Sequence, residues 1–291
     1  MSQGTVLKAY GGFFYVHSEG KLWECRPRGR FKKDKQTILA GDQVVMTATG
    51  TDSGVVEQVL PRRNELLRPP IANVDQVLVV FASKNPDPNF SLLDRMLVMA
   101  QGAGVKPIIC FGKWDLHTPE VEQEMGIYQT AGYQVVPASS QTGEGIDVIR
   151  QLLTNKISVF AGPSGVGKST LLNALQPGLN LKTGEISEKI KRGKHTTRHV
   201  ELLPLQQGGW VADTPGFSTL NLPALETAEL VEFFPELKDA GANCRFNGCL
   251  HHQEPGCAVR DAVNTGSLPQ RRYTQYLEFL SELSQQKERR F

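Results

Sequence analysis

The stretch AGPSGVGKST, residues 161–170, decides how the rest of this 291-residue chain is read. Gly162, Gly167, Lys168 and Ser169 stand at the G-x-x-x-x-G-K-S spacing of a phosphate-binding loop. The residues before it, ISVFA, read as a buried strand, and KSTLLNAL after it reads as a helix, which is the context the motif requires. The candidate phosphate cradle therefore runs through Gly162, Pro163, Ser164, Gly165, Val166, Gly167, Lys168, Ser169 and Thr170. Its glycines let backbone amides turn inward onto phosphate oxygens, Lys168 reaches the β- and γ-phosphates, and Ser169 is a Mg²⁺ ligand. About half the chain precedes this loop, so the reading must explain what comes first.

Working downstream, DTPGF (213–217) ends the strand pattern GWVADT. Asp213 is placed to hold Mg²⁺ and the amide of Gly216 to meet the γ-phosphate. Between the two motifs, KRGKHTTRH offers Thr196 and Thr197, one of which completes the Mg²⁺ shell when a triphosphate is bound and lets go afterwards. Base selection lies upstream. A guanine reader needs a carboxylate facing N1–H and N2–H₂, a donor pair that adenine lacks. Lys113 and Asp115, in CFGKWDL at the end of the strand KPIICF, have the spacing of N-K-x-D, and Ser139 and Ser140 in PASS supply a second base-side loop. The base-reading parts thus precede the phosphate-reading parts, the order of a GTPase cut and rejoined with its sheet neighbours unchanged.

The surrounding pattern is consistent with three domains. Residues 1–68 read as short strands forming an OB-like β-barrel, with a hairpin around His17-Ser18-Glu19-Gly20. PRRNELLRPPIANV (61–74), with its prolines and change of period, reads as a linker. Residues 69–222 alternate strand and helix, a βαβ series with a parallel sheet covered on both faces. Residues 223–291 read as a mainly helical module holding Cys244, Cys249, His251 and Cys257 within fourteen residues. Three thiolates and one imidazole suit a closed, structural zinc site, with His252 as the rival of His251. Cys25 and Cys110 have no partner nearby, and Cys110 falls in a buried-strand pattern.

Lys+Arg number 32 against Asp+Glu 30, a net charge of +2, so contact with nucleic acid depends on local patches. RPRGRFKKDK on the barrel offers Arg26, Arg28, Arg30, Lys32 and Lys33, flanked by Trp23 and Phe31; the segment 189–198 offers Lys191 and Arg192; QRR (270–272) and KERR (287–290) add further charge. These runs on all three domains favour RNA. No apolar run approaches a membrane span and the start lacks a signal peptide's apolar core, so a cytoplasmic protein without a membrane partner is expected.

A barrel, a permuted GTPase domain and a Cys–His module, with GPSGVGKS, DTPGF and CRFNGCLHHQEPGCAV as the most specific matches, resemble the ribosome small subunit-dependent GTPase A family over nearly the whole chain. The resemblance implies a monomeric assembly factor that binds GTP with Mg²⁺, hydrolyses it to GDP under stimulation by the small ribosomal subunit, carries one structural Zn²⁺ with His251 as the imidazole ligand, and contacts that subunit and its rRNA late in maturation. The chain departs from the pattern at Gly112, where the usual Asn would contact the base and tie two loops together. Phe217 stands where Ras-type enzymes place the water-orienting Gln, and an apolar side chain cannot hold water for in-line attack. His195, just before Thr196, is the candidate catalytic group, and the resemblance also points to a histidine there. Two other readings fit the residues alone: an RNA-binding protein with a weakened nucleotide site, and a permuted GTPase without a ribosomal partner.

Overall fold

The computed structural model describes residues 1–29, 37–67, 69–176, 200–213 and 222–288, with the backbone alone at 213. Arg30, Lys32, Lys33, Lys191, Arg192, His195, Thr196, Thr197 and Gly216 lie outside the described residues.

Five strands, β1 (Ser2–Tyr10), β2 (Phe13–Ser18), β3 (Lys21–Pro27), β4 (Gln43–Ala48) and β5 (Ser53–Val59), close into a barrel in the order β1-β2-β3-β5-β4. Period-2 alternation sends Val6, Val16, Cys25, Val44, Met46 and Val56 inward, where they form one apolar cluster. The β2–β3 turn is tighter than the sequence pattern implied. Ser18 pairs with Lys21, leaving Glu19 and Gly20 as a two-residue loop, both at positive φ. That conformation matches the right-handed twist of the flanking strands.

The expected linker is an ordered joint. β6 (Glu65–Leu67) and β7 (Pro70–Ala72) form a hairpin whose Leu66 and Ile71 are buried in the core of the central domain. Asn64 exchanges two hydrogen bonds with the backbone of Val74, while Asn73 donates to the Gly41 carbonyl at the barrel's edge. Arg62 grips the buried Asp42 at 2.7 and 2.8 Å. Side-chain amides here take over backbone pairing that a short, proline-limited hairpin cannot complete.

The central domain contains β8 (Gln76–Ala82), α1 (Phe90–Gly102), β9 (Lys106–Gly112), α2 (Pro119–Thr130), β10 (Gln134–Pro137), α3 (Ile146–Leu153), β11 (Ile157–Ala161), α4 (Lys168–Leu175), β12 (Leu202–Pro204) and β13 (Trp210–Asp213). Its strands lie in the order β10-β9-β8-β11-β13-β12. All neighbours are parallel except β12, which runs antiparallel to β13 at the edge. The βαβ series is parallel, as its alternating pattern implies; the connection from β12 to β13 is a tight turn, too short for a parallel crossover. Both faces are covered. Val77, Val79, Phe81 and Ile109 meet Leu93, Met96 and Leu97 of α1 on one side. On the other, Leu78, Val80, Ile108 and Phe160 meet Ile149 of α3 and Leu172 of α4. Every residue of β8 is buried, as its unbroken apolar run requires.

The C-terminal module consists of a 3₁₀ segment (Thr227–Phe233), α5 (Pro235–Gly241), α6 (Ala258–Asn264) and α7 (Gln270–Glu288). It packs against the outer face of α1, so that Val98 joins the cluster of Leu230, Phe234, Leu237, Tyr276 and Phe279. The Arg pair of QRR, read from sequence as surface charge, is the centre of this interface. Arg272 is 1% exposed and bonds Asp94 of α1 and Glu236 of α5, each at 2.6 Å. Arg271 bonds Asp94 at 2.8 Å and Glu124 of α2 at 2.8 Å, and the Tyr128 hydroxyl donates to Asp94 at 2.6 Å. Burial works against the Arg272 charge, yet Asp94 and Glu236 outweigh it and hold the guanidinium well above its ordinary basicity. Lys287 pairs with Glu226. No helix among the described residues is long and apolar enough to cross a membrane.

Replacing Arg272 by Met keeps most of the volume but removes the guanidinium from buried Glu236 and leaves Asp94 with Arg271 as its remaining cation. The loss expected is about 3–5 kcal/mol, against about 0–1 kcal/mol for Arg28→Ala at the exposed pair with Glu57. Urea unfolding of the two variants measures the difference.

Candidate functional site

The C-terminal ends of the parallel strands converge on one edge of the sheet, where open α/β sheets bind their ligands. Adjacent registers place Ala161, Gly112 and Pro137 at or near these ends: Ala161 pairs with Val79 of β8, Gly112 with Ala82 of β8, and Pro137 with Phe111 of β9. Asp213 pairs with Phe160 on the other side of β11. The two halves of the site, read from segments on either side of β11, are therefore neighbours in space.

The phosphate half starts where β11 ends. Gly162 has φ 144°, and a Cβ there would meet the Val80 carbonyl oxygen at 2.1 Å, so the loop can leave the sheet this closely only as glycine. Val166 is buried and packs with Leu171 and Leu172, which anchors the middle of the loop. Gly167 caps α4 in the left-handed region, and Lys168 opens the helix. Ser164, Gly165 and Thr170 are exposed, while Pro163 and Ser169 are half-buried. The Lys168 ammonium lies over the loop and donates to the carbonyls of Gly162 and Pro163, both at 2.8 Å. The cation is thus held among backbone groups that a polyphosphate would share.

The base half starts at β9. Lys113 takes a left-handed conformation (φ 53°) that turns the chain into the 3₁₀ segment Trp114–Leu116 and leaves Asp115 exposed. The Trp114 amide donates to the Ala138 carbonyl and the Ala138 amide to the Phe111 carbonyl, locking the loops after β9 and β10 together. Ser139 is wholly buried, and its hydroxyl donates to Asp115 Oδ1 while accepting from the amides of Gln141 and Thr142. Its hydroxyl therefore orients the carboxylate, and half-buried Ser140 stands next in the loop. Lys113 Nζ donates to the Gly165 carbonyl at 3.1 Å and to the Asn85 carbonyl, bridging base and phosphate loops.

A second cluster lies in the C-terminal module. The ligand atoms of Cys244, Cys249, His251 and Cys257 all fall within 4.8 Å of one another. His251 Nδ1 is 3.5 Å from the sulfurs of Cys244 and Cys257, which are 3.9 Å apart. Donors around a tetrahedral zinc with thiolate bonds of about 2.3 Å are separated by roughly 3.5–3.8 Å, so these residues fit that ion. The choice between the two histidines falls to His251, which is buried, whereas His252 is exposed. The close approach of helix α5 needs Gly241, where a Cβ would lie 2.9 Å from the His251 ring. Tyr273 donates to the His251 carbonyl at 2.7 Å and Tyr276 to the Leu250 carbonyl at 3.0 Å. Glu254 accepts from the amides of Leu250, His252 and Gln253; burial alone would raise its pKa, but these bonds prevail and lower it. Burial pushes the Cys249 thiol up to about 12 and lowers the pKa of His251, favouring the neutral imidazole that ligates a metal. The sequence pattern does not reveal the supporting residues: Glu254 acts within its own loop, while Tyr273 and Tyr276 reach the loop backbone from α7. Cys25 and Cys110 are core thiols, raised by burial to about 11 and about 12.

On the barrel, Arg26 and Arg28 are exposed. Arg26 lies 5.0 Å from the centre of the Phe13 ring, and Arg28 is paired with Glu57, which offsets part of the charge expected from the basic run. Lys21 lies 4.5 Å from the centre of the Trp23 ring.

Metal analysis of the purified protein is expected to find about one zinc per chain. His251→Ala should lower zinc content and melting temperature, and His252→Ala should leave both unchanged.

Comparison with known proteins agrees with this geometry. A profile of the RsgA GTPase matches residues 59–223, and one of the RsgA N-terminal domain matches residues 3–56. Proteins named small ribosomal subunit biogenesis GTPase RsgA from Moorella thermoacetica and Carboxydothermus hydrogenoformans are 49% and 50% identical, over 97% of this chain and 97% and 98% of theirs. The crystal structure of YloQ, a circularly permuted GTPase, superposes with a TM-score of 0.83 at 40% identity, covering 98% of this chain and 96% of that one. YjeQ from Thermotoga maritima gives 0.85 at 37% identity, covering 97% and 98%. With its permuted motif order, its phosphate loop and both profile matches in sequence, the chain belongs to the RsgA GTPase family.

Proposed function

We propose that this protein hydrolyses GTP as a late maturation factor of the small ribosomal subunit, and that docking on the subunit raises its turnover. The observation that carries the nucleotide half of this reading is the Lys113 bridge to Gly165, which sets Asp115 and the 162–170 loop on one edge of one sheet. The names of relatives that align over nearly their full length support the subunit as partner.

The chemistry follows from the residues. Asp115, oriented by Ser139, accepts hydrogen bonds from N1–H and N2–H₂ of guanine, and Lys113 covers the base side of the phosphate loop. Lys168 exchanges the carbonyls of Gly162 and Pro163 for phosphate oxygens, an exchange favoured because a charged acceptor strengthens the bond. Magnesium bound with the substrate neutralises charge on its phosphates; Ser169, Asp213 and Thr196 or Thr197 are the residues to hold it. The Gly216 amide is the donor assigned to the γ-phosphate. With Phe217 in place of a water-orienting side chain, His195 is the group to position the attacking water when the protein is docked on the subunit. Arg26, Arg28, Arg30, Lys32, Lys33, Lys191 and Arg192 contact rRNA phosphates, so binding weakens with salt. One structural zinc in the Cys₃His cluster holds the C-terminal module in shape.

Two measurements test the reading. GTP turnover should rise on adding small subunits to the wild type, and His195→Ala should lose most of that rise while still binding GDP; equal stimulation of both proteins removes His195 from the mechanism. Asp115→Asn should weaken GDP binding by about 10- to 150-fold, the cost of a charged hydrogen bond, and shift preference toward xanthosine diphosphate. An asparagine amide can donate to the carbonyl that xanthine carries in place of the guanine amine.

A further inference from the structure

Gly112 ends β9 where the base-side and phosphate-side loops meet, and it is buried. It is not among the residues with positive φ, so backbone conformation does not demand glycine there. A Cβ added to it would lie 3.6 Å from the Val166 carbonyl oxygen, 3.7 Å from the Phe81 carbonyl oxygen and 3.7 Å from Val80 Cγ1, all ordinary van der Waals contacts. The side-chain direction at 112 therefore runs toward the phosphate loop, and a donor carried on it would have the Val166 carbonyl within reach. Glycine supplies no donor. The side-chain bridge that the structure shows between the two loops is the Lys113 ammonium on Gly165.

We propose that Gly112 sets the rate at which guanine nucleotides leave this protein. With the Lys113 ammonium as the side-chain bridge among the described residues, and a glycine at 112 where a Cβ would make only ordinary contacts facing the Val166 carbonyl, base and phosphate grips open more readily, and nucleotide exchange is fast without a partner to drive it. The inference rests on reading the site as a guanine-nucleotide site. The loop cradles the α- and β-phosphates, which GDP and GTP share, so release of both is accelerated by the same factor and the preference between them is unchanged.

The test is stopped-flow release of fluorescent GDP and of a fluorescent non-hydrolysable GTP analogue from wild type, Gly112→Ala and Gly112→Asn. Gly112→Asn should slow both releases equally, by about 2- to 13-fold, the size of one neutral hydrogen bond, while Gly112→Ala stays within about twofold of wild type. Gly112→Ser, a smaller donor, repeats the test if the Asn variant folds poorly. Release from the donor variants as fast as from wild type overturns the proposal. So does an equal slowing by Ala, which would assign the effect to packing, and so does slowing of one nucleotide alone. Absence of saturable guanine-nucleotide binding by the wild type would overturn the underlying reading of the site instead.

Discussion

The hydrogen bond from Lys113 to the Gly165 carbonyl joins loops whose residues are 52 positions apart in the chain, and much of the site depends on what allows it. β8 lies between β9 and β11, so the ends of those two strands open on the same edge one strand apart. The approach is close because Gly162 turns directly over the Val80 carbonyl, where a side chain has no room. Parallel strands send all their C-terminal ends the same way, which is why neighbouring strands can contribute to one site whatever their order in the chain. Permutation changes the connections and leaves this adjacency intact.

The same arrangement fixes how the outer parts are attached. In this connectivity the chain emerging from β13 passes into the C-terminal module, which docks on α1 through Leu222, Phe234 and the Arg271–Arg272 pair. α1 thus has two buried faces: Leu93, Met96 and Leu97 toward the sheet, Asp94 and Val98 toward the module. At the other side, the barrel touches the β12–β13 end of the sheet, where Lys8 pairs with Glu201 and His17 packs edge-on against Trp210.

The zinc-type cluster and the ion-pair interface are two ways of stabilising a small module that has a limited apolar core. The Cys₃His set draws the 244–257 loop to a point, and Glu254, Tyr273 and Tyr276 bind its backbone from around that point. The arginines do the opposite: they spread one charged contact over α1, α2, α5 and α7. Such a buried pair contributes less to net stability than to fixing one docking geometry, since removing either partner is costly while desolvation offsets much of the attraction.

What the sequence determined by itself was every feature whose signal is local. Glycine spacing between a strand and a helix defined the phosphate loop, four ligands within fourteen residues defined the metal cluster, an unbroken apolar run defined β8, and period-3.6 and period-2 patterns defined α1 and the barrel strands. The permuted motif order was legible for the same reason, because each motif is short. What only the tertiary structure decided were the contacts between distant segments. Arg271 and Arg272 look like any exposed basic run until Asp94 and Glu236 are brought beside them, and residues 61–74 look like a linker until Asn64 and Asn73 meet the backbone that completes the joint. The room beside Gly112 is of this kind too, since it is defined by the carbonyls of Val166 and Phe81, which no sequence spacing brings together. A charge or a gap has no fixed meaning along the chain; its meaning is set by the groups that folding places against it.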